Sequence, residues 1–167
     1  MGSKYRNISS VGQINDMACW AASLKWWYKA AMSITPSQTK LWDRYKHLRE
    51  PLGGMTDSGI KHIIRENAMM LVEYPDAKNF SVADAQWLVG YGPVFIAYTI
   101  GYNNKRHVNV IYEATGNSDY AEVRAMEPQA ESIGGGAWRG AHMKKPINEF
   151  NAAGSIWAGV LRTAFNG

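Results

Sequence analysis

The stretch Gln13-Ile14-Asn15-Asp16-Met17-Ala18-Cys19-Trp20-Ala21-Ala22-Ser23 decides how this chain is read. It carries the only cysteine in 167 residues. Cys19 falls where a loop gives way to an apolar helix. A thiol at a helix start lies beside unpaired backbone N–H groups and the positive end of the helix dipole, and both favour the thiolate. Gln13 lies upstream on the same loop and brings a side-chain amide donor to the same place. This is the layout of an activated cysteine at the mouth of a helix.

Outward from that stretch, the first half of the chain reads helical. Ala22, Ser23, Trp26 and Ala30 recur at helical spacing from Cys19 to about Met32. Thr35-Pro36-Ser37-Gln38 predicts a second start, with Thr35 as N-cap, Pro36 in the first turn and Gln38 as capping-box partner. Leu41, Tyr45 and Leu48 then line one face. Pro51-Leu52-Gly53-Gly54 breaks the chain. Thr56 or Asp57 opens a third helix with Ile60, Ile63 and Ile64 inward. Met70 to Tyr74 predicts a short strand, and Ser81 to Asp84 caps a fourth helix that runs to about Val89.

The second half reads as strands. Pro93 to Ile100, His107 to Ala114 and Tyr120 to Met126 are rich in β-branched and aromatic residues and are separated by turn residues, which predicts an antiparallel meander. Gln129 to Lys145 holds Gly134-Gly135-Gly136 and reads as a long mobile loop. Pro146 to Phe150 reads as a helical turn and Ile156 to Thr163 as a last strand. Helices first and an antiparallel sheet second make an α+β pattern, with an N-terminal helical lobe packed on a C-terminal sheet. Met1-Gly2-Ser3 reads as a tag remnant. The expected organisation is a flexible N-terminus over 1–10 and a single domain over 11–167.

Composition narrows the function classes. Hydrophobic residues make up 46% of the chain, enough for a substantial core, and the formal net charge is +4. The basic residues are scattered rather than gathered into an arm, which argues against nucleic acid as a partner. A basic surface suits an acidic protein partner. A lone cysteine forms no internal disulfide and offers no zinc cluster, so no metal and no cofactor are expected. No apolar run reaches the length of a membrane span.

A cysteine nucleophile needs a base, and the base needs an orienting group. Four histidines are available. His47 lies among Lys46 and Arg49, and His62 sits between inward isoleucines; both read as surface residues. His142 lies in the glycine-rich segment. His107 opens a strand directly after a turn. Alternation puts Val108, Val110 and Tyr112 on one face and His107, Asn109, Ile111 and Glu113 on the other. Glu127, at the end of the next strand, is placed to accept the ring N–H and fix the tautomer. Asn109, Glu113 and Asp119 compete for that role, Asn109 most closely. Acyl transfer further needs donors aimed at the developing oxyanion, and the Cys19 backbone N–H with the Gln13 amide forms such a pair.

Taken together, Gln13, Cys19-Trp20-Ala21-Ala22, a strand opening at His107 and Glu127-Pro128 at the next strand end resemble the papain-like cysteine peptidases. The likeness runs over roughly residues 11 to 160. It is strongest to the compact bacterial branch, which includes effector proteases injected into other cells and bacteriocin-processing peptidases that cut after Gly-Gly leaders. Gly92-Pro93-Val94-Phe95-Ile96-Ala97, His107-Val108-Asn109-Val110-Ile111, Phe150 and Trp157-Ala158-Gly159 are similar to segments of that branch. The resemblance implies Cys19 as nucleophile, His107 as general base and acid, Glu127 as orienter and Gln13 as oxyanion donor. The family's third member is usually Asp or Asn; the longer Glu needs its strand end about one bond farther away.

The resemblance also implies a function: a bacterial toxin or effector that cleaves proteins in the cytoplasm of a target cell, at small Gly-Gly-like sites, restrained by a cognate inhibitor (immunity) protein. Two other readings stand beside it. The same site chemistry serves a glutamine deamidase, a transglutaminase or an amidase, although Trp20 argues against peptidoglycan amidases. An inert binding module is the third reading.

Overall fold

A computed structural model describes residues 3–50, 55–102, 105–116 and 121–162. Its elements are α1 (Ser3–Arg6), α2 (Cys19–Met32), α3 (Gln38–Arg44), α4 (Asp57–Glu66), β1 (Met69–Tyr74), α5 (Val82–Val89), β2 (Val94–Thr99), β3 (Arg106–Thr115), β4 (Glu122–Glu127), β5 (Ser132–Gly134), β6 (Ala137–Trp138), β7 (Ala141–Pro146) and β8 (Ile156–Leu161). Short 3-10 turns lie at Lys46–Leu48, Ala77–Asn79 and Ile147–Glu149. Six strands form one antiparallel sheet in the order β1-β8-β2-β3-β4-β7, and β5 with β6 forms a separate hairpin. The architecture is the α+β arrangement expected, helices packed on a sheet.

Strand alternation sorts the core into two layers. Phe95, Ala97, Val108, Val110, Tyr112 and Met126 face α2 and its neighbours, where Trp20, Leu24, Trp26 and Trp27 are fully enclosed. Ile96, Tyr98, Ile111, Val123 and Ala125 face the other way, onto α5 and Phe150. Each large side chain so enclosed contributes roughly 1.5–3 kcal/mol, and the four aromatic or aliphatic anchors of α2 fix that helix to the sheet.

Helix α2 is also pinned by a stripe of polar anchors at every fourth residue. Ser23 Oγ donates to Val108 O at 3.1 Å, and Trp27 Nε1 donates to Pro93 O at 3.0 Å. Positions i and i+4 lie on one helix face, so the same stripe carries Cys19 toward the start of β3, one residue before Val108. This alignment of helix start with strand start is what positions the site.

Three expectations are corrected. Gln129 to Lys145 is not a loop: it holds the β5–β6 hairpin and strand β7, which pairs with β4 from Glu122↔Pro146 to Glu127↔Ala141. The three glycines make the hairpin turn with positive φ. Helix α3 starts two residues later than expected, because Ser37 rather than Thr35 caps it and accepts from Lys40 N. Gln38 is no capping-box partner. Its Nε2 donates to Gly12 O and its Oε1 accepts from Ile14 N, so it clamps the loop that carries Gln13. The expected break at Pro51–Gly54, and Thr163 of the last strand, lie outside the described residues, as do Tyr120 and the rival acid Asp119.

The segment ahead of residue 11 makes contacts of its own. Tyr5 packs against Tyr112 with ring centroids 6.1 Å apart, and Arg6 forms a two-pronged ion pair with Glu113 at 2.7 Å. No helix among the described residues is long and apolar enough to cross a membrane.

Candidate active site

The structure brings Cys19, His107 and Glu127 together. Cys19 opens α2 and stays partly accessible. Its thiol lies near enough to the His107 imidazole to raise its pKa. His107 Nε2 meets Glu127 Oε2 at 2.6 Å, which leaves Nδ1 as the ring nitrogen for the thiol. His107 and Glu127 are 5% and 6% exposed, so the imidazole–carboxylate pair is screened from water, whereas Cys19 is only partly buried. Tyr98 closes one side, its ring edge-on to His107 at 5.8 Å.

The electrostatics follow from that burial. Burial alone would pull the His107 imidazole down. Hydrogen bonding to Cys19 and to Glu127 outweighs it and raises the imidazole to about 10. Burial alone would push the Glu127 carboxyl up. The hydrogen bond from His107, and attraction to His107 and Lys145, instead hold it well below the usual carboxylate range. The arrangement keeps a proton on the imidazole and a charge on the carboxylate at neutral pH.

Glu127 reaches His107 despite its length because both of its oxygens are tethered. Oε2 also accepts from Gln129 N at 3.0 Å, and Oε1 accepts from Lys145 Nζ at 2.6 Å. The rival orienters are engaged elsewhere. Asn109 Oδ1 faces Tyr98 Oη and its Nδ2 donates to Val108 O, while Glu113 is held by Arg6. Lys145 was not singled out from sequence. It stands beside Lys144, and only the burial and the β4–β7 pairing show which of the two turns inward.

Gln13 is fully buried and its backbone is stapled to the site. Its N–H donates to Pro128 O, next to Glu127, and its carbonyl accepts from Trp138 N at 3.0 Å. The crossing is tight: a Cβ at Gly12 would lie 1.6 Å from Trp138 O, so only glycine fits there. Gln13 Nε2 donates to Asn15 O at 2.9 Å, the carbonyl that also accepts from Ala18 N. The Gln13 amide therefore sits against the turn that delivers Cys19, with its second N–H still available. Its Oε1 has no partner among the described residues. Residue 18, the N-cap of α2, is alanine, and no side chain caps that helix. Most helices fill this position with Ser, Thr, Asp or Asn. Here the first-turn N–H groups are left for an incoming acceptor.

The remaining candidates fall away. His47 and His62 are exposed, and His62 pairs with Glu66. His142 lies on β7, where Nε2 donates to Ile8 O and Nδ1 therefore accepts from Tyr112 Oη. Trp20 is a core residue stacked on Trp42 at 5.4 Å. No group of three or more His, Cys, Asp or Glu is placed to hold a metal ion among the described residues.

Comparison with known proteins bears on the fold and the family. The chain superposes on the peptidase domain of Streptococcus ComA, a bifunctional ABC transporter involved in a quorum-sensing pathway. The TM-score is 0.63 at 16% identity, over 93% of this chain and 99% of that domain. It also superposes on UfSP from C. elegans, with TM-score 0.59 and 10% identity over 92% of this chain and 33% of that one. No curated protein sequence matches the chain. The model of the papain-like cysteine protease AvrRpt2 family matches residues 4–157. The chain belongs to that family and is a papain-like cysteine peptidase.

Proposed function

We propose that Cys19 is the nucleophile, His107 the general base and acid, Glu127 the orienting acid, and Gln13 with the Cys19 N–H the oxyanion donors. The observation that carries this reading is the 2.6 Å contact of His107 Nε2 with Glu127 Oε2, with the Cys19 thiol near enough to raise the imidazole pKa. In the first half-reaction Sγ attacks the peptide carbonyl carbon and the thiol proton rests on His107. The carbonyl oxygen takes the displaced electron pair and is met by the Cys19 N–H and the second N–H of Gln13. Collapse breaks the C–N bond, and His107 hands its proton to the leaving amine. Water then attacks the thioester, His107 takes its proton, and the acid product leaves with the thiol restored.

The peptidase acts, in this proposal, as a bacterial effector or toxin on proteins in the cytoplasm of a target cell, cutting beside small Gly-Gly-like residues. An inhibitor protein guards the producing cell. Similarity to the effector branch supports the role. The +4 charge supports an acidic contact face on the inhibitor, covering Cys19 and the β5–β6 hairpin.

The test is mass spectrometry of target-cell proteins after incubation with wild type, Cys19→Ala and His107→Ala. New protein termini with wild type are expected. Either variant should lose at least about a thousandfold in rate while keeping its thermal unfolding transition. A one-dalton gain on glutamine without new termini would reject the protease assignment, and near-wild-type rates in either variant would reject these roles. Enrichment of bulky residues at the cut sites would reject the Gly-Gly preference. For the restraint, the chain expressed in bacterial cytoplasm should be harmful alone and harmless beside its inhibitor.

A further inference from the structure

The site holds one buried ionic group that the mechanism above does not use. Lys145 is 5% exposed, whereas the side chain of its neighbour Lys144 is 59% exposed. Lysines are almost never fully buried unless paired. Lys145 Nζ lies 2.6 Å from Glu127 Oε1, with Glu149 Oε2 at 3.5 Å from the surface side. Phe150 lies 5.9 Å from the ammonium and packs on Tyr98, whose ring covers His107. The charged and titratable groups facing one another in this box are Cys19 from α2, Tyr98 from β2, His107 from β3, Glu127 from β4, Lys145 from β7 and Glu149 from the turn after it.

We infer that Lys145 is a positioning residue for Glu127. It binds Oε1, turns Oε2 toward His107, and supplies the fixed counter-charge that keeps the carboxylate ionised through the cycle. This rests on the reading of Cys19, His107 and Glu127 as the reacting set. The need arises from the chemistry itself. When His107 hands its proton to the leaving amine, the ring beside Glu127 becomes neutral. A buried carboxylate facing a neutral ring tends to take up a proton, and a protonated Glu127 no longer stabilises the imidazolium in the next step. A cation that does not take part in the transfer prevents this. It also accounts for a glutamate where an aspartate would be stiffer: the longer arm is held at both oxygens.

The test uses Lys145→Gln, which keeps a donor for Oε1 but removes the charge, and Lys145→Met. Each is made alone and together with Glu127→Gln. In the single variants kcat should fall about 10–100-fold with little change in KM, and the acid-side midpoint of kcat/KM should move up by about one pH unit. In the Glu127→Gln background the second substitution should change kcat less than about twofold, since no carboxylate is left to hold. The rate of Cys19 alkylation by iodoacetamide, followed against pH in the same proteins, should shift in the same direction and needs no substrate. An unshifted pH profile, or losses that multiply across the two backgrounds, would overturn the inference. If wild type alkylates at Cys19 but cleaves no peptide, the reading of the reacting set fails, and the alkylation profiles alone decide the role of Lys145.

Discussion

The two ends of helix α2 each meet a buried polar network, and the networks treat charge in opposite ways. At the C-terminal end, Tyr28 Oη donates to Asn67 Oδ1, Asn67 Nδ2 donates to Tyr45 Oη at 2.8 Å and to Ile63 O, and Tyr45 Oη donates to Glu66 at 2.7 Å. The ionisable members, Glu66 and His62, lie at the surface with side chains 45% and 51% exposed. Only neutral dipoles are hidden. At the N-terminal end, a carboxylate, an imidazole and an ammonium are all hidden. Burying charge costs several kcal/mol per ion before pairing returns any of it, and a buried ion pair is weak evidence for stability. The first network holds helices together. The second contains the residues proposed to react, where a low dielectric sharpens each electrostatic interaction.

That contrast can be broken by removing one partner at each end. Glu127→Ala leaves the buried Lys145 with only Glu149 at 3.5 Å and should destabilise the fold by about 3–5 kcal/mol in denaturant unfolding, besides abolishing turnover. Glu66→Gln, at the other end, should cost under about 1 kcal/mol, because water replaces the lost charge. Comparable losses at the two positions would erase the distinction. Gln13→Ala addresses the unused donor of the site. It should lower kcat by roughly 10²–10³ with KM little changed, and a change confined to KM would assign Gln13 to substrate contact. Asn67→Ala leaves two phenols without their shared amide and should cost about 1–3 kcal/mol with kcat unaffected.

The pH dependence of stability sharpens the comparison further. The imidazole of His107 is raised on folding, so its contribution is complete below ~6.5 and is lost as pH rises through about 10. The carboxyl of Glu127 is depressed, so its contribution is complete above ~4.3 and is lost as pH falls toward the depressed value. The Tm plotted against pH should therefore fall on both sides of a plateau. Glu127→Gln should flatten the acid side, and an acid limb as steep as that of wild type would point to other carboxylates.

The parts of this picture that were legible in sequence are those with a periodic signal. Helix α2 showed itself by Ala22, Ser23, Trp26 and Ala30 at helical spacing, and the His107 face by strict alternation with Val108, Val110 and Tyr112. Strand β7 had no such signal. It is the edge of the sheet, half of it faces water, and an edge strand rich in lysine discourages pairing with other chains. Polar edges and glycine triplets look alike in sequence, so hairpin and strand together read as a loop. Lys145 vanished for the same reason. Gln38 misled because its local neighbours offered a capping role, whereas its partners lie 24 and 26 residues away in the chain.

Strand β8 has a consequence for how the protein is made. It follows every other described strand in the chain, yet it lies inside the sheet, between β1 and β2. Cys19, His107, Glu127 and Lys145 all leave the ribosome before it does. Until β8 arrives, β1 and β2 each present an open hydrogen-bonding edge, and β2 carries side chains that are all buried in the finished molecule. Such non-local closure is slow, because a long loop must be gathered before the pairing returns any free energy. The nascent chain thus holds the proposed reacting groups on an unfinished sheet, and its exposure to mispairing lasts until β8 has been made.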